Sequence, residues 1–137
     1  MEPNFVFKGT IDVGPLEQKL EPLDWNAYTF RQTKFNVHRE TLTVPLLWNE
    51  VPSREEVPHQ WYTHFKEDLD RIALHLKAHI HTALLIKLPA GRSIQPHVDA
   101  APHFKLYHRI HIPIVTNPKC LFTVGNETIH MKKGEMW

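Results

Sequence analysis

The stretch LPAGRSIQPHVDAAPHFKLYHRIHIPI, residues Leu88–Ile114, determines the predicted fold and the candidate site. It contains the triplets HVD and RIH, in each of which two polar residues are two positions apart. In a β-strand, residues i and i+2 point to the same face. If both segments are extended, His97 lies beside Asp99 on one strand, and Arg109 lies beside His111 on another.

His97 and Asp99 are candidate metal ligands. Non-haem iron(II) oxygenases use a facial set of three protein ligands, commonly two histidines and one carboxylate, and leave the other positions open. Two ligands of this kind are present here. The alternative is a hydrogen bond between the two side chains on a turn.

Arg109 and His111 are candidate ligands for a cofactor that carries carboxylates. A 2-oxo diacid brings two carboxylates that need donors, and Arg is suited to bidentate carboxylate recognition. The alternative, which stays open, is that Arg109 makes a structural ion pair at the sheet surface and His111 is hydrogen-bonded in the core.

Other histidines are secondary candidates. His103 and His108 lie near the loop that follows Asp99, where they would line a substrate mouth. His75 and His79 have the i, i+4 spacing of a helical zinc pair, but no HExxH motif accompanies them. His130 is a candidate third ligand for the metal.

Composition predicts one ordinary globular domain. The chain has 137 residues, of which 42% are hydrophobic and 23% charged, and its formal charge of +1 gives no reason to expect nucleic acid or an anionic membrane as a partner. Cys120 is the single cysteine, so we expect neither an intrachain disulfide nor a cysteine zinc cluster. The N-terminus lacks the pattern of a signal peptide, and we expect a cytoplasmic protein.

The order of predicted elements indicates the fold class. An amphipathic helix is predicted at about residues 59–80, because apolar residues recur there every three or four positions. Strands are predicted at 38–48, 82–88, 93–98 and 108–115, and a hairpin at 120–131. Pro45 predicts an edge or a bulge in the first strand. Helix-rich segments followed by short strands predict a mainly β (α+β) single domain over residues 1–137, a jelly roll whose core begins at about residue 82.

Three motifs resemble the aspartyl/asparaginyl β-hydroxylase-like family of iron(II)/2-oxoglutarate-dependent dioxygenases. They are LPAGRSIQPHVD, RIHIPIVTNP and a hairpin ending in KKGEMW. The segment DWNAYTFRQTKFNVHRETLTVPL is also similar to bacterial members. The resemblance implies a double-stranded β-helix (a cupin-like jelly roll) with His97 as the proximal ligand of Fe(II). Asp99 matches the carboxylate of bacterial free-amino-acid hydroxylases, such as the cis-proline hydroxylases, and Arg109 and His111 match a pair that contacts 2-oxoglutarate or substrate.

The sequence departs from the family pattern at its end. In the family, the strand that contains GExW is followed by a distal His ligand and by an Arg that binds the far carboxylate of 2-oxoglutarate. The given sequence stops at Trp137, before both. We therefore expect a fragment with an incomplete metal site and missing last strands, weak or absent turnover, and an exposed strand edge that favours homo-oligomers.

The resemblance predicts an Fe(II)/2-oxoglutarate-dependent hydroxylase of an amino acid or of an Asp- or Asn-like side chain. A second hypothesis is a non-catalytic, cupin-like module that binds a small acid through Arg109 and His111. A third is a structural fragment that assembles with a partner.

Overall fold

The computed structural model describes residues 2–49, 55–99 and 105–137. The elements, in chain order, are α1 (Gly14–Gln18), α2 (Phe30–Lys34), a 3-10 helix (Asn36–His38), β1 (Leu42–Leu47), α3 (Tyr62–Leu76), β2 (Ala83–Lys87), β3 (Phe122–Val124) and β4 (Glu127–Ile129). Antiparallel pairing joins β1 to β2 and β3 to β4 in two two-stranded sheets.

The long helix α3 confirms the helix predicted at about 59–80, with shorter bounds. Phe65, Leu69 and Ile72 are spaced four and three residues apart, and all three are buried. This spacing places them on the one face that packs against β1. The helix ends because Lys77 adopts a left-handed conformation with a φ of 51°, and the next amide, that of Ala78, bonds back to the carbonyl of Ala73.

The strand pair β1–β2 confirms the strands predicted at 38–48 and 82–88. Val44 pairs with Leu85, and the register shifts between Pro45 and Leu47. Proline has no amide hydrogen to donate to a ladder, so the irregularity falls where Pro45 predicts a bulge. Val44 and Leu46 point to one face of β1 and belong to the core, whereas Thr43, on the other face, is also fully buried.

The main core lies in the first two thirds of the chain, between α1 and β2. It combines residues of α1, β1, α3 and β2 with the segments that flank them. Its buried members are Val13, Leu16, Leu23, Val44, Leu46, Leu47, Phe65, Leu69, Ile72 and Leu85. In contrast, residues 91–99 and 105–109 are all exposed. Among the described residues, no helix has both the length and the apolar composition that a membrane span requires.

The β3–β4 hairpin was predicted and is confirmed. Its turn includes Gly125, whose φ of 59° lies in the left-handed region that glycine adopts without steric cost.

The C-terminal segment 134–137 lies between residues 8–11 and residues 111–113. Its backbone bonds on one side to Lys8, Gly9 and Ile11, and on the other side to His111 and Pro113. Gly134 has a φ of 80°, and a Cβ there would lie 2.5 Å from the carbonyl oxygen of Ile11, so the close approach of the backbones requires glycine.

Two predicted strands are wrong, since residues 93–98 and 108–115 contain no strand. In the first, the Ser93 amide bonds to the carboxylate of Glu40, and Pro96 has no amide hydrogen. In the second, His111 exchanges two backbone hydrogen bonds with Trp137, and Pro113 accepts one from Gly134. These hydrogen bonds are too few to form a ladder. The jelly roll stays a prediction.

Candidate functional site

His97 and Asp99 lie side by side, although the segment that carries them is not a strand. The Nδ1 of His97 donates to the carbonyl oxygen of Gln95 at 2.8 Å, which leaves the Nε2 lone pair directed elsewhere. That Nε2 lies 3.4 Å from the Oδ1 of Asp99. This separation exceeds the usual length of an N–H···O hydrogen bond. Two lone-pair atoms that face each other in this way suit a cation between them.

Arg109 meets the other oxygen of the same carboxylate. Its Nη1 donates to the Oδ2 of Asp99, while Oδ1 faces His97. The side chains of His97 and Asp99 are 29% and 31% exposed, so a solute can reach the pair from solvent. A metal bound here would share the Asp99 carboxylate with a guanidinium, unless Arg109 moves to another acceptor.

His111 is near this group but makes different contacts. Its ring lies 5.2 Å from the ring of Phe122, and its backbone pairs with Trp137. Desolvation by the surrounding atoms lowers the pKa of His111, and the charge of Arg109 lowers it further. The imidazole is therefore neutral at pH 7 and offers one donor and one acceptor. Its role as a cofactor ligand stays a prediction.

Two residues that sequence reasoning did not single out, Arg31 and His38, join the site from α2 and the 3-10 helix. The guanidinium of Arg31 is buried and donates to Thr43 Oγ1 at 3.2 Å and to His38 Nε2 at 3.1 Å. The ring of His38 stands edge-on to that of His97, with 5.8 Å between the centroids. The segment that carries them has no clear period. The one available signal was its similarity to bacterial family members.

The pKa of His38 is lowered to about 4. Burial is the largest cause, followed by the charge of Arg31, then His97 and Arg109, and Asp99 partly offsets them. Because a guanidinium only donates, His38 Nε2 accepts the bond from Arg31, and the proton of the neutral ring is on Nδ1. This Nδ1 is buried and has no hydrogen-bond partner among the described residues.

His79 and His130, two further candidates, make contacts away from the His97–Asp99 pair. His79 pairs with Glu56, and the Nδ1 of His130 bonds to the carbonyl oxygen of Cys120 at 2.9 Å. His103 is outside the described residues. Within residues 2–49, 55–99 and 105–137, no three His, Cys, Asp or Glu side chains are arranged to hold a metal, so His130 does not complete the His97–Asp99 pair.

Comparison with protein families gives one match, which covers most of the chain. The family is described as aspartyl/asparaginyl beta-hydroxylase, and the matching residues are 15–137. Comparisons with curated proteins and with solved structures give no match. The matched region contains α2, the His97–Asp99 pair and Arg109.

Proposed function

Because this chain belongs to the aspartyl/asparaginyl β-hydroxylase family, we propose that it binds Fe(II) and 2-oxoglutarate and hydroxylates an amino acid or an Asp- or Asn-like side chain. One observation carries the proposal. The Nε2 of His97 and the Oδ1 of Asp99 face each other at 3.4 Å, with the imidazole held in that orientation by the Gln95 carbonyl. We also propose that the two strand pairs are parts of a double-stranded β-helix.

The donor set fits the metal. An imidazole nitrogen and a carboxylate oxygen are two of the three protein ligands typical of non-haem Fe(II) oxygenases. The hydrogen bond from Nδ1 to a backbone carbonyl is the outer contact that commonly fixes a metal-binding imidazole. His97 and Asp99 would therefore hold the iron. When bound, iron and 2-oxoglutarate supply the oxidation of a C–H bond by dioxygen, with succinate and carbon dioxide as co-products.

Arg109 and His111 would bind and orient the co-substrate. Arg109 already donates to a carboxylate, that of Asp99, and its side chain is 46% exposed. An incoming 2-oxoglutarate offers the guanidinium further carboxylate oxygens in the geometry it prefers. His111, neutral and desolvated beside it, can donate a hydrogen bond without bringing a second positive charge.

Titration with Mn(II), which binds such sites without turnover, tests the metal pair directly. We expect His97→Ala and Asp99→Asn each to weaken Mn(II) binding about tenfold or more, because each removes a direct ligand. His130→Ala is the control, since it also removes an imidazole whose Nδ1 bonds to a backbone carbonyl, and it should leave binding unchanged. Equal Mn(II) affinity in all four proteins would contradict the proposal. Succinate release from 2-oxoglutarate, in the presence of Fe(II) and amino acids, then tests the reaction.

A second candidate function is a non-catalytic, cupin-like module that binds a small acid. It is favoured by the finding that the described residues bring two ligands together rather than three. This module would bind 2-oxoglutarate or a similar acid through Arg109 and His111, and it would release no succinate whichever metal is added. Calorimetry and a succinate assay on the same preparation separate the two functions.

A further inference from the structure

Arg31 is a buried cation with neutral partners. It is 5% exposed, although it carries a charge that burial disfavours. In the described part of the chain it contacts the hydroxyl of Thr43, the imidazole of His38 and, at 5.9 Å from Cζ, the ring of Trp48. None of these groups carries a negative charge. Buried arginines ordinarily pair with a carboxylate or another anion.

The charges around Arg31 do not balance it. Burial is the main cause that lowers the pKa of Arg31, and the positive charge of Arg109 lowers it further, whereas Tyr28 and then Asp99 raise it. Both oxygens of the Asp99 carboxylate already have neighbours, because Oδ2 accepts from Arg109 and Oδ1 faces the Nε2 of His97. Among these described residues there are thus two guanidinium groups and one carboxylate. The surplus positive charge lies next to the proposed metal pair.

Two hydrogen bonds fix the position of the Arg31 guanidinium inside the protein. One Nη donates to Thr43 on β1, the other donates to His38, and the ring of His38 packs edge-on against His97. A single imidazole ring therefore separates Arg31 from the proposed ligand His97. If Arg31 served only to join α2 to β1, an uncharged amide could donate the same hydrogen bonds without burying a charge. Gln32, the next residue, makes such a bond to the carbonyl of Thr41 at 2.6 Å.

We propose that Arg31 binds a carboxylate of a ligand that reaches the His97–Asp99 pair. This inference rests on the proposed function and deepens it, since it requires a carboxylate on the side of the site that α2 and β1 form. Two ligands could supply the group. One is the α-carboxylate of an amino-acid substrate, and the other is a carboxylate of 2-oxoglutarate.

The test compares each acid with its amide by calorimetry, with and without Mn(II). The substrate pair is L-asparagine and L-asparaginamide, and the co-substrate pair is 2-oxoglutarate and its 5-amide. We expect the wild-type chain to prefer the carboxylate about tenfold or more in at least one pair, because a charge-assisted hydrogen bond is lost in the amide. Arg31→Gln should abolish that preference, and Arg31→Lys should keep part of it. The pair that responds identifies the source of the carboxylate.

Gln32→Met is the matched control, because it removes a neighbouring bond from α2 to Thr41, the residue before β1, but keeps the cation. It should retain the full preference. If Arg31→Gln does not fold, the guanidinium NMR signals of Arg31 in the wild-type chain provide the readout. They should shift on addition of the acid and not of the amide.

The outcomes separate this inference from the proposed function. Equal affinity for acid and amide in the wild-type chain, or an unchanged preference in Arg31→Gln, would overturn it even if Mn(II) binds at His97 and Asp99. Conversely, an Arg31-dependent preference in a chain that binds no Mn(II) would support the carboxylate subsite while the proposed metal site fails.

Discussion

The two faces of β1 are equally buried but hold different chemistry. Val44 and Leu46 point into the apolar core, where α3 covers them. Thr43, which precedes Val44 and points to the opposite face, is fully buried and accepts a hydrogen bond from the Arg31 guanidinium. Apolar burial stabilises in proportion to the area removed from water, whereas a buried polar group is tolerated only when its partners are matched. The strand β1 therefore contributes to the apolar core on one face and binds the buried Arg31 guanidinium on the other.

Removing a large side chain from the apolar face should have the largest effect. Phe65 is fully buried, so Phe65→Ala should lower the free energy of unfolding by about 3–5 kcal/mol through lost burial and a residual cavity. Urea unfolding measures the change. Leu74→Ala, on the same helix at 80% exposure, is the control and should stay within about 0.5 kcal/mol of wild type. Similar losses in both variants would mean that α3 does not pack as described.

On the polar face, the matched change is Thr43→Val, which keeps the volume and removes the acceptor. We expect a loss of about 1–3 kcal/mol, because a donor of the buried Arg31 is left unsatisfied. Thr123→Val is the control, since the hydroxyl of Thr123 bonds to that of Thr128 on an exposed hairpin. If Thr43→Val instead stabilised the protein, the hydrogen bond from Arg31 to Thr43 would not contribute to stability, and the two faces of β1 would not differ.

In the metal-free chain, acid should lower the free energy of unfolding through His38, which bonds to Arg31 on the polar side of β1. An unfolded histidine titrates near 6.5, whereas the pKa of His38 in the folded chain is about 4. Between these values the unfolded state binds more protons, so the free energy of unfolding falls as the pH is lowered through this window. The loss should be on the order of 1 kcal/mol after allowance for solvent screening of a half-buried ring.

Unfolding of wild type and His38→Gln at pH 7 and pH 5 measures this difference. The variant should lose less stability on acidification, because it lacks the group whose pKa is lowered. His111 shifts in the same direction and should leave a residual pH dependence in both proteins. Identical acid sensitivity would show that His38 is not held neutral.

The smallest expected effect on stability is at Glu40, which lies two residues after His38 in the sequence but is exposed. Its carboxylate accepts the Ser93 amide and Arg92, and these contacts, the amide first, lower the pKa of Glu40. Glu40→Gln should leave global unfolding unchanged and speed hydrogen exchange at Ser93. The amide of Gly14, which bonds to Asp12, serves as the internal reference. An unchanged exchange rate at Ser93 would show that the hydrogen bond from Ser93 to Glu40 does not form in solution.

The same two faces explain what could be predicted from the sequence. The apolar spacing of Phe65, Leu69 and Ile72 predicted α3, because a periodic pattern reports which side is buried. Arg31 and His38 belong to no pattern, since α2 has five residues and owes its helix to tertiary contacts rather than to propensity. The spacing of His97 and Asp99 correctly predicted their proximity, but the strand on which that prediction rested is absent from the described segment 93–98. Partners from a distant segment, such as Thr43 for Arg31, leave no trace in local spacing.

Gly134 has a consequence for how the chain folds. It allows the segment 134–137 to insert between residues 8–11 and residues 111–113. The pairing of Lys8 with Met136 closes a loop that spans nearly all of the described chain, and loop closure of this length carries a large entropic cost. Such contacts form slowly compared with local ones like the β3–β4 hairpin. We expect this pairing to be the last step of folding and the first contact to open under denaturant.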